Sequence, residues 1–498
     1  MAINDPGNLS GNYILMNDID LGFEETGTLK FAPIGDLYNP FTGTFNGQGN
    51  TISNITYPGT GMLTDIGLFS YTENASISNL NLENIGLTGT QLFVGALIGQ
   101  ATNTTIKHCS VVNSAGYDIN GDSNVGGLFG IIKNSEISDS YAITDVKGDF
   151  YVGGIAGSIM NTSVSDSYAT GNVTGNDQVG GFIGHIREAS VVSNSYATGD
   201  VMKPGSTIVG GFVGYMSVSS SIFNSYATGN AEGASYVGGF AGHIENSEIS
   251  RSYAEGDSDG IYTGGFIGYM TNSEISNSYA VGDVNGGYVG GFAGVVDAGS
   301  SISNSYSIGD ATGTWTAGFV GYLYAPTITD SFYIGSPDSG DDSMGFFVTP
   351  AELMQIATFT TLENDGGYIS ASWDMSPSQN RNFIWYIDEG TDYPKINWNY
   401  DPQTEQQKGG SGTGSATIVE NNQQNNIQQP VTPTEPTTSQ PTSETTSSTS
   451  TPDSGSSVES SDLNPPASSN PNKTPWALIA IGILIVIGCV GYYLYRKQ

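Results

Sequence analysis

The sequence predicts an all-β protein, a right-handed parallel β-helix, and three observations carry that expectation. Paired glycines recur at Gly126, Gly153, Gly180, Gly210, Gly238, Gly264 and Gly290, and Ala317 replaces the first glycine of an eighth copy. Successive copies lie 27, 27, 30, 28, 26, 26 and 27 residues apart, and inside them the apolar residues alternate with a period of two and show no helical period. Glycine accounts for 69 of the 498 residues and charged residues for only 12%, which suits an array of repeats better than a compact enzyme. A leucine-rich repeat of similar length would need an LxxLxLxxN frame, and that frame is absent.

Each copy supplies three short strands. The first follows the glycine pair. Phe182, Gly184 and Ile186 sit two, four and six residues after Gly180, and every copy is apolar, glycine and apolar at those places. One strand face therefore points inward, with a glycine where space is short. A second strand is expected in the SEISNSYA segments, where Ser195-Tyr196 marks a strand end, and a third after Gly-Asx pairs such as Gly199-Asp200 and Gly282-Asp283. No single copy can bury a core, but stacked copies can, each pairing in parallel with the next. Eleven or twelve coils at ~4.8 Å each make a rod of roughly 50 to 55 Å.

Upstream of the regular copies, Tyr13–Leu21, Phe41–Ile55, Ile66–Ile85 and Val94–Val112 read as three or four degenerate coils, with turn signals at Asn46-Gly47 and Gln48-Gly49. The repeat region is assigned to residues 1–335. A closing segment, 336–400, opens with the capping box Thr349-Pro350-Ala351-Glu352, which predicts a short helix through about Ala357. Its tryptophans and tyrosines are expected to cover the open edge of the last coil. Residues 401–475, rich in Ser, Thr, Pro and Gln, read as a disordered stalk. Trp476–Tyr495 carries no charge and is followed by Arg496 and Lys497, the pattern of a spanning helix with a cytoplasmic tail at 496–498. An ectodomain outside the cell calls for a targeting signal, and MAINDPGNLSGNY has neither a basic start nor an apolar core, so a leader upstream of Met1 is expected. The rival reading is a tail-anchored protein with a cytosolic ectodomain.

The repeated VGGFIG and VGGFAG frame resembles the GLUG motif of bacterial and archaeal surface proteins, over roughly residues 9 to 335. The resemblance implies a prokaryotic, adhesin-like surface protein. It implies no catalytic residues, because the motif also occurs in non-catalytic portions of immunoglobulin-A-cleaving metallopeptidases.

Thirteen basic against 48 acidic residues leave a net charge of −35, which disfavours a nucleic-acid partner. Cys109 and Cys489 form neither a disulfide framework nor a CxxC metal site. The three histidines, His108, His185 and His243, stand far apart with no HExxH, which removes zinc peptidase chemistry. The column Asp145, Asn172, Asp200, Asn230, Asp257, Asp283 and Asp310 recurs in every coil, so it reads as an Asx ladder rather than a catalytic pair. A weaker alternative has Asp200, Asp257, Asp283 and Asp310 bind calcium; no other cofactor is expected.

The fifth position after the first glycine is the candidate ligand-binding column: His185, Tyr215, His243, Tyr269 and Tyr322. Its parity opposes the core, so it is expected as an exposed aromatic ladder for sugar faces, or as self-stacking that only stabilises the solenoid. The tyrosines of NSYA, Tyr141 to Tyr306, are expected to be structural. The expectation is thus a membrane-anchored surface protein, not an enzyme, that binds glycans or protein ligands in adhesion or envelope structure. The alternatives are a carbohydrate-active β-helix hydrolase or lyase, and a passive spacer.

Overall fold

The computed structural model describes residues 2–22, 32–57, 64–203, 205–334, 345–360 and 373–400. The stalk expected at 401–475, the span at 476–495 and the tail at 496–498 lie outside the described residues. Among the described residues no helix is long and apolar enough to cross a membrane.

The chain winds as an all-β parallel solenoid with three faces. In the coil that begins at Gly181, Ile183–Arg187 lies on what we term the phenylalanine face. Val191–Ser193 and Tyr196–Ala197 follow on the tyrosine face, then Val201–Met202 and Ile208–Gly210 on the valine face. Each strand pairs in parallel with its counterpart one coil away, as in Ile183 with Val213, Tyr196 with Tyr226 and Val209 with Val237. Ten strands build the phenylalanine face, from Phe69–Glu73 to Val320–Leu323, so there are about ten turns. The tyrosine face is longer, with twelve successive rungs among the described residues from Asn12–Ile14 to Thr327–Thr329. The first degenerate coils build the tyrosine face but touch the phenylalanine face only through single bridges, Ile34 to Phe69 and Phe41 to Thr72.

The core consists of stacked columns. Phe182, Phe212, Phe240, Phe266, Phe292 and Phe319 are fully buried at one corner, with ring centroids 4.8 to 5.0 Å apart. Ile186, Val192, Ala197 and Val209 add one buried column per strand. Gly184 shows why the glycine face is invariant in type. A Cβ there would stand 2.5 Å from Val152 N and 2.6 Å from Tyr151 C, because the phenylalanine-face strand lies directly against backbone of the valine face. Only hydrogen fits.

The tyrosine face is not one strand with Ser195-Tyr196 at its end. A single left-handed residue, Asn194 with φ 50°, bends the chain, and Tyr196 opens a second short strand. Asn and Asp tolerate this conformation, and Asp139, Asp166, Asn224, Asn277, Asn304 and Asp330 repeat it. Beside each bend a buried serine satisfies the backbone: Ser195 Oγ donates to Ser193 O at 2.7 Å and accepts from Ser167 N at 3.3 Å. Length differences between copies fall in the turns. In the 30-residue step from Gly180 to Gly210 the valine face is interrupted after Val201–Met202, where Ser206 N donates to Lys203 O, whereas the 26-residue steps have a continuous valine-face strand, as in Ser258–Gly264.

The capping box forms, with Thr349 N donating to Glu352 Oε2 at 2.8 Å and Glu352 N donating to Thr349 Oγ1 at 3.3 Å. Its helix stops at Leu353 rather than Ala357, and a second helix covers Ile356–Thr360. The reason lies in a later loop: Gly390 N donates to Met354 O and Glu389 Oε1 accepts from Ile356 N, which removes the groups a continuous helix would use. The closing segment meets the last coil and also runs back along the tyrosine face. Phe346–Phe347 does extend the tyrosine face beyond Phe332–Tyr333. The tryptophans, however, lie along the side of that face, Trp385 against Tyr279 and Tyr306, Trp398 against Tyr226 and Tyr253. Trp385 Nε1 donates to Asn277 Oδ1 at 3.2 Å, and Tyr306 Oη donates to Pro394 O at 2.5 Å.

Candidate functional site

Four rings of the expected column stand together, His185, Tyr215, His243 and Tyr269, whereas Val295 separates Tyr322 from them. Ring centroids are 4.9 Å apart for His185 and Tyr215, 4.8 Å for Tyr215 and His243, and 4.7 Å for His243 and Tyr269. Its exposure differs from expectation. His185 is buried, with 8% of its surface accessible, and Tyr215, His243 and Tyr269 are half-buried; only Tyr322 is open, at 51%. The cause is a second aromatic column on the valine face. Tyr151 lies 5.6 Å from His185, and Tyr236 lies 6.0 Å from His243 and 5.0 Å from Tyr269. This second column continues through Tyr236, Tyr262, Tyr288 and Trp315 at centroid spacings of 5.4, 5.2 and 4.6 Å. Its signal lies two residues before the first glycine of each copy from Tyr151 onward, interrupted by Gln178 and Ile208.

Polar groups link the rungs. Tyr215 Oη donates to Glu245 Oε2 at 2.6 Å and Tyr269 Oη to Asp297 Oδ2 at 2.8 Å, one coil ahead. Burial, with the Asp297 hydrogen bond and charge, pushes the Tyr269 phenol up to about 12, and burial with the Glu245 hydrogen bond and charge raises Tyr215. Burial drives the His185 imidazole down to about 3, with the Arg187 charge adding to it. It drives His243 down to about 4 against the opposing charge of Glu245. Both rings are neutral at pH 7, and His185 Nδ1 and His243 Nε2 are buried without hydrogen-bond partners.

A ring stacked on both sides shows solvent only its edge. From Tyr236 to Trp315 the rings stack at 14° to 27°, so their faces are occupied until the column ends, whereas the rings from His185 to Tyr269 meet at 32° to 75°. Trp315 is the last ring of the valine-face column and is 57% exposed; Tyr322 and Tyr324, on and just after the last strand of the phenylalanine face, are exposed as well. Tyr322 packs edge-on to Tyr288 at 6.1 Å.

The acidic column lies in turns and is hydrogen-bonded rung to rung. Asn230 N donates to Asp200 Oδ1, Asp283 N to Asp257 Oδ1 and Asp310 N to Asp283 Oδ1, each at 2.9 Å. One oxygen of each carboxylate is thereby committed to the backbone, the arrangement of an Asx ladder. Asp257, Asp283 and Asp310 line a shallow groove of about 550 Å³. Among the described residues no group of three or more His, Cys, Asp or Glu side chains is placed to hold a metal ion. The NSYA tyrosines stack with interplanar angles of 1° to 5° from Tyr141 to Tyr306.

Four stretches, residues 148–174, 175–202, 233–258 and 259–285, match the family described as the GLUG motif, so the chain carries GLUG repeats. Among curated proteins it is similar to Halomucin of Haloquadratum walsbyi (strain DSM 16790 / HBSQ001), 32% identical over 143 residues. That match covers 28% of this chain and 2% of the relative, so the chain spans a small part of the relative's length.

Proposed function

We propose that this GLUG-repeat chain is a cell-surface protein of adhesion or envelope structure, which holds glycans or other surface macromolecules along its solenoid and is tethered by its apolar C-terminal segment. The observation that carries the reading is the exposed Trp315 at the end of the valine-face ring column, with Tyr322 and Tyr324 also open seven and nine residues farther along the chain. An exposed aromatic group of this kind on a chain with so few charges is suited to meeting another surface. The likeness to halomucin supports the surface location. The net charge of −35 argues against nucleic acid as the partner.

No catalytic residue or cofactor belongs to this reading. A glycan array probed with the full chain, paired with a reducing-end release assay on bound polysaccharides, tests it. Retention without release, weakened at least tenfold in Trp315→Ala with the circular dichroism unchanged, is expected. Release of reducing ends that disappears on replacing one carboxylate would make the protein an enzyme, and no retention on any surface would leave it a spacer.

A further inference from the structure

We infer that the groove where the tyrosine ladder begins is a binding site for a neutral hexopyranose residue; the inference deepens the adhesion reading and rests on it. Tyr141 is the first ring of the ladder. Its rear face stacks on Tyr168 at 4.7 Å, with the rings 1° from parallel. In the two preceding coils the same position is held by Ser110 and Asn81, paired in register with Tyr141. Neither side chain can cover a ring, so the front face of Tyr141 opens onto a groove of about 650 Å³. Elsewhere in the ladder the faces are occupied, and the closing segment meets rings obliquely, with Trp398 at 50° to 52°.

The polar lining suits a sugar. A hexopyranose presents an apolar face of C–H bonds, which an aromatic face attracts, and a rim of hydroxyls that both donate and accept. Around Tyr141 stand Asp139, His108, Asn79, Asn81 and Ser110. Two of these are fixed in advance: Ser110 Oγ donates to Asn81 Oδ1 at 2.9 Å, and Asn81 Nδ2 donates to Gly49 O at 2.8 Å. Asp139 lies 3.8 Å from His108 Nδ1, too far for a hydrogen bond, which leaves its carboxylate to accept from a ligand hydroxyl.

His108 adds an independent sign. It sits with φ 53° in the left-handed column that is otherwise Asn or Asp, apart from Arg251 at 47°. Arg251 is accounted for by Phe223 and Tyr400, whose rings its guanidinium covers at 5.5 and 5.9 Å. His108 faces the groove. Histidine tolerates this conformation better than most side chains, and here the bend carries its ring to the groove. Asp139 and the acidic charge of the chain exclude an anionic sugar.

Ligand-observed NMR on the full chain, with methyl glycosides of neutral hexoses, a methyl glucuronide and N-acetyltryptophanamide as probes, tests the assignment. At least one neutral hexoside should bind saturably and the glucuronide at least tenfold more weakly. Ser110→Tyr, which continues the ladder and covers the open face, should reduce hexoside binding at least tenfold while keeping or raising the thermal midpoint. Asp139→Asn, conservative in a left-handed bend, should reduce it at least threefold. Hexoside binding that is indifferent to Ser110→Tyr would overturn this site and leave the adhesion reading to stand on Trp315. No saturable hexoside would overturn the proposal, and a tryptophan probe displaced by Ser110→Tyr in the absence of sugar binding would reassign the groove to an aromatic peptide.

Discussion

The two ladder histidines carry the clearest pH consequence at the level of single residues. Each has an imidazole held in the folded state at about 3 or about 4, below its ordinary value near 6.5. The unfolded chain therefore takes up the proton first as pH falls. Their contribution to stability is whole above pH 6.5 and is lost between there and pH 3 to 4, at up to about 1.4 kcal/mol per pH unit for each ring. Thermal midpoints measured from pH 7 to pH 4 should fall, and the fall should be shallower in His185→Phe/His243→Phe. Gly184 makes the opposite point about size. Gly184→Ala places a methyl 2.5 Å from the Val152 backbone and should cost on the order of 3 kcal/mol in urea unfolding. That glycine was legible in sequence because its column has one answer in every coil. The burial of His185 was not, because parity gives the direction of a side chain along its own strand and says nothing of a tyrosine from another face.

Strand faces were legible as period-two columns, and the Asx turn read as a ladder is hydrogen-bonded as one. The bend at Asn194 escaped notice because a left-handed Asn inside a strand and an Asn at a strand end look alike in sequence. The position of the closing segment escaped for a different reason. Trp385 and Asn277 are 108 residues apart, and nothing local in IWYIDEGTDYPKINW names the tyrosines it will meet. Trp385 is fully buried, so Trp385→Ala should cost about 3 to 5 kcal/mol locally. The expected readout is proteolysis within residues 373–400 at a protease level that leaves the parent intact, with the β signal of the solenoid retained. Equal loss of both signals would mean that the segment and the coils unfold as one unit.

Across the whole solenoid, each coil contacts chiefly its two neighbours, so stability is a sum of similar units and interfaces. Excising Gly153 through Val179 joins Val152 to Gly180 and removes 27 residues, one full turn. The product should fold, unfold in one transition and be shorter by ~4.8 Å in small-angle scattering. Excising Gly153 through Asp166 removes about half a turn, sets unlike faces against each other and should give no folded protein. Added calcium should leave the thermal midpoint of the full chain where it was, because the backbone already holds one oxygen of Asp200, Asp257 and Asp283.

The closing segment ends its described course at Tyr400, under Arg251 and beside the ring pair that Trp398 covers, not at the final coil. A pull applied at Tyr400 would therefore enter the molecule at the flank of the tyrosine face, several rungs back from Phe332, where Trp398 and Trp385 hold the segment to the tyrosine rings.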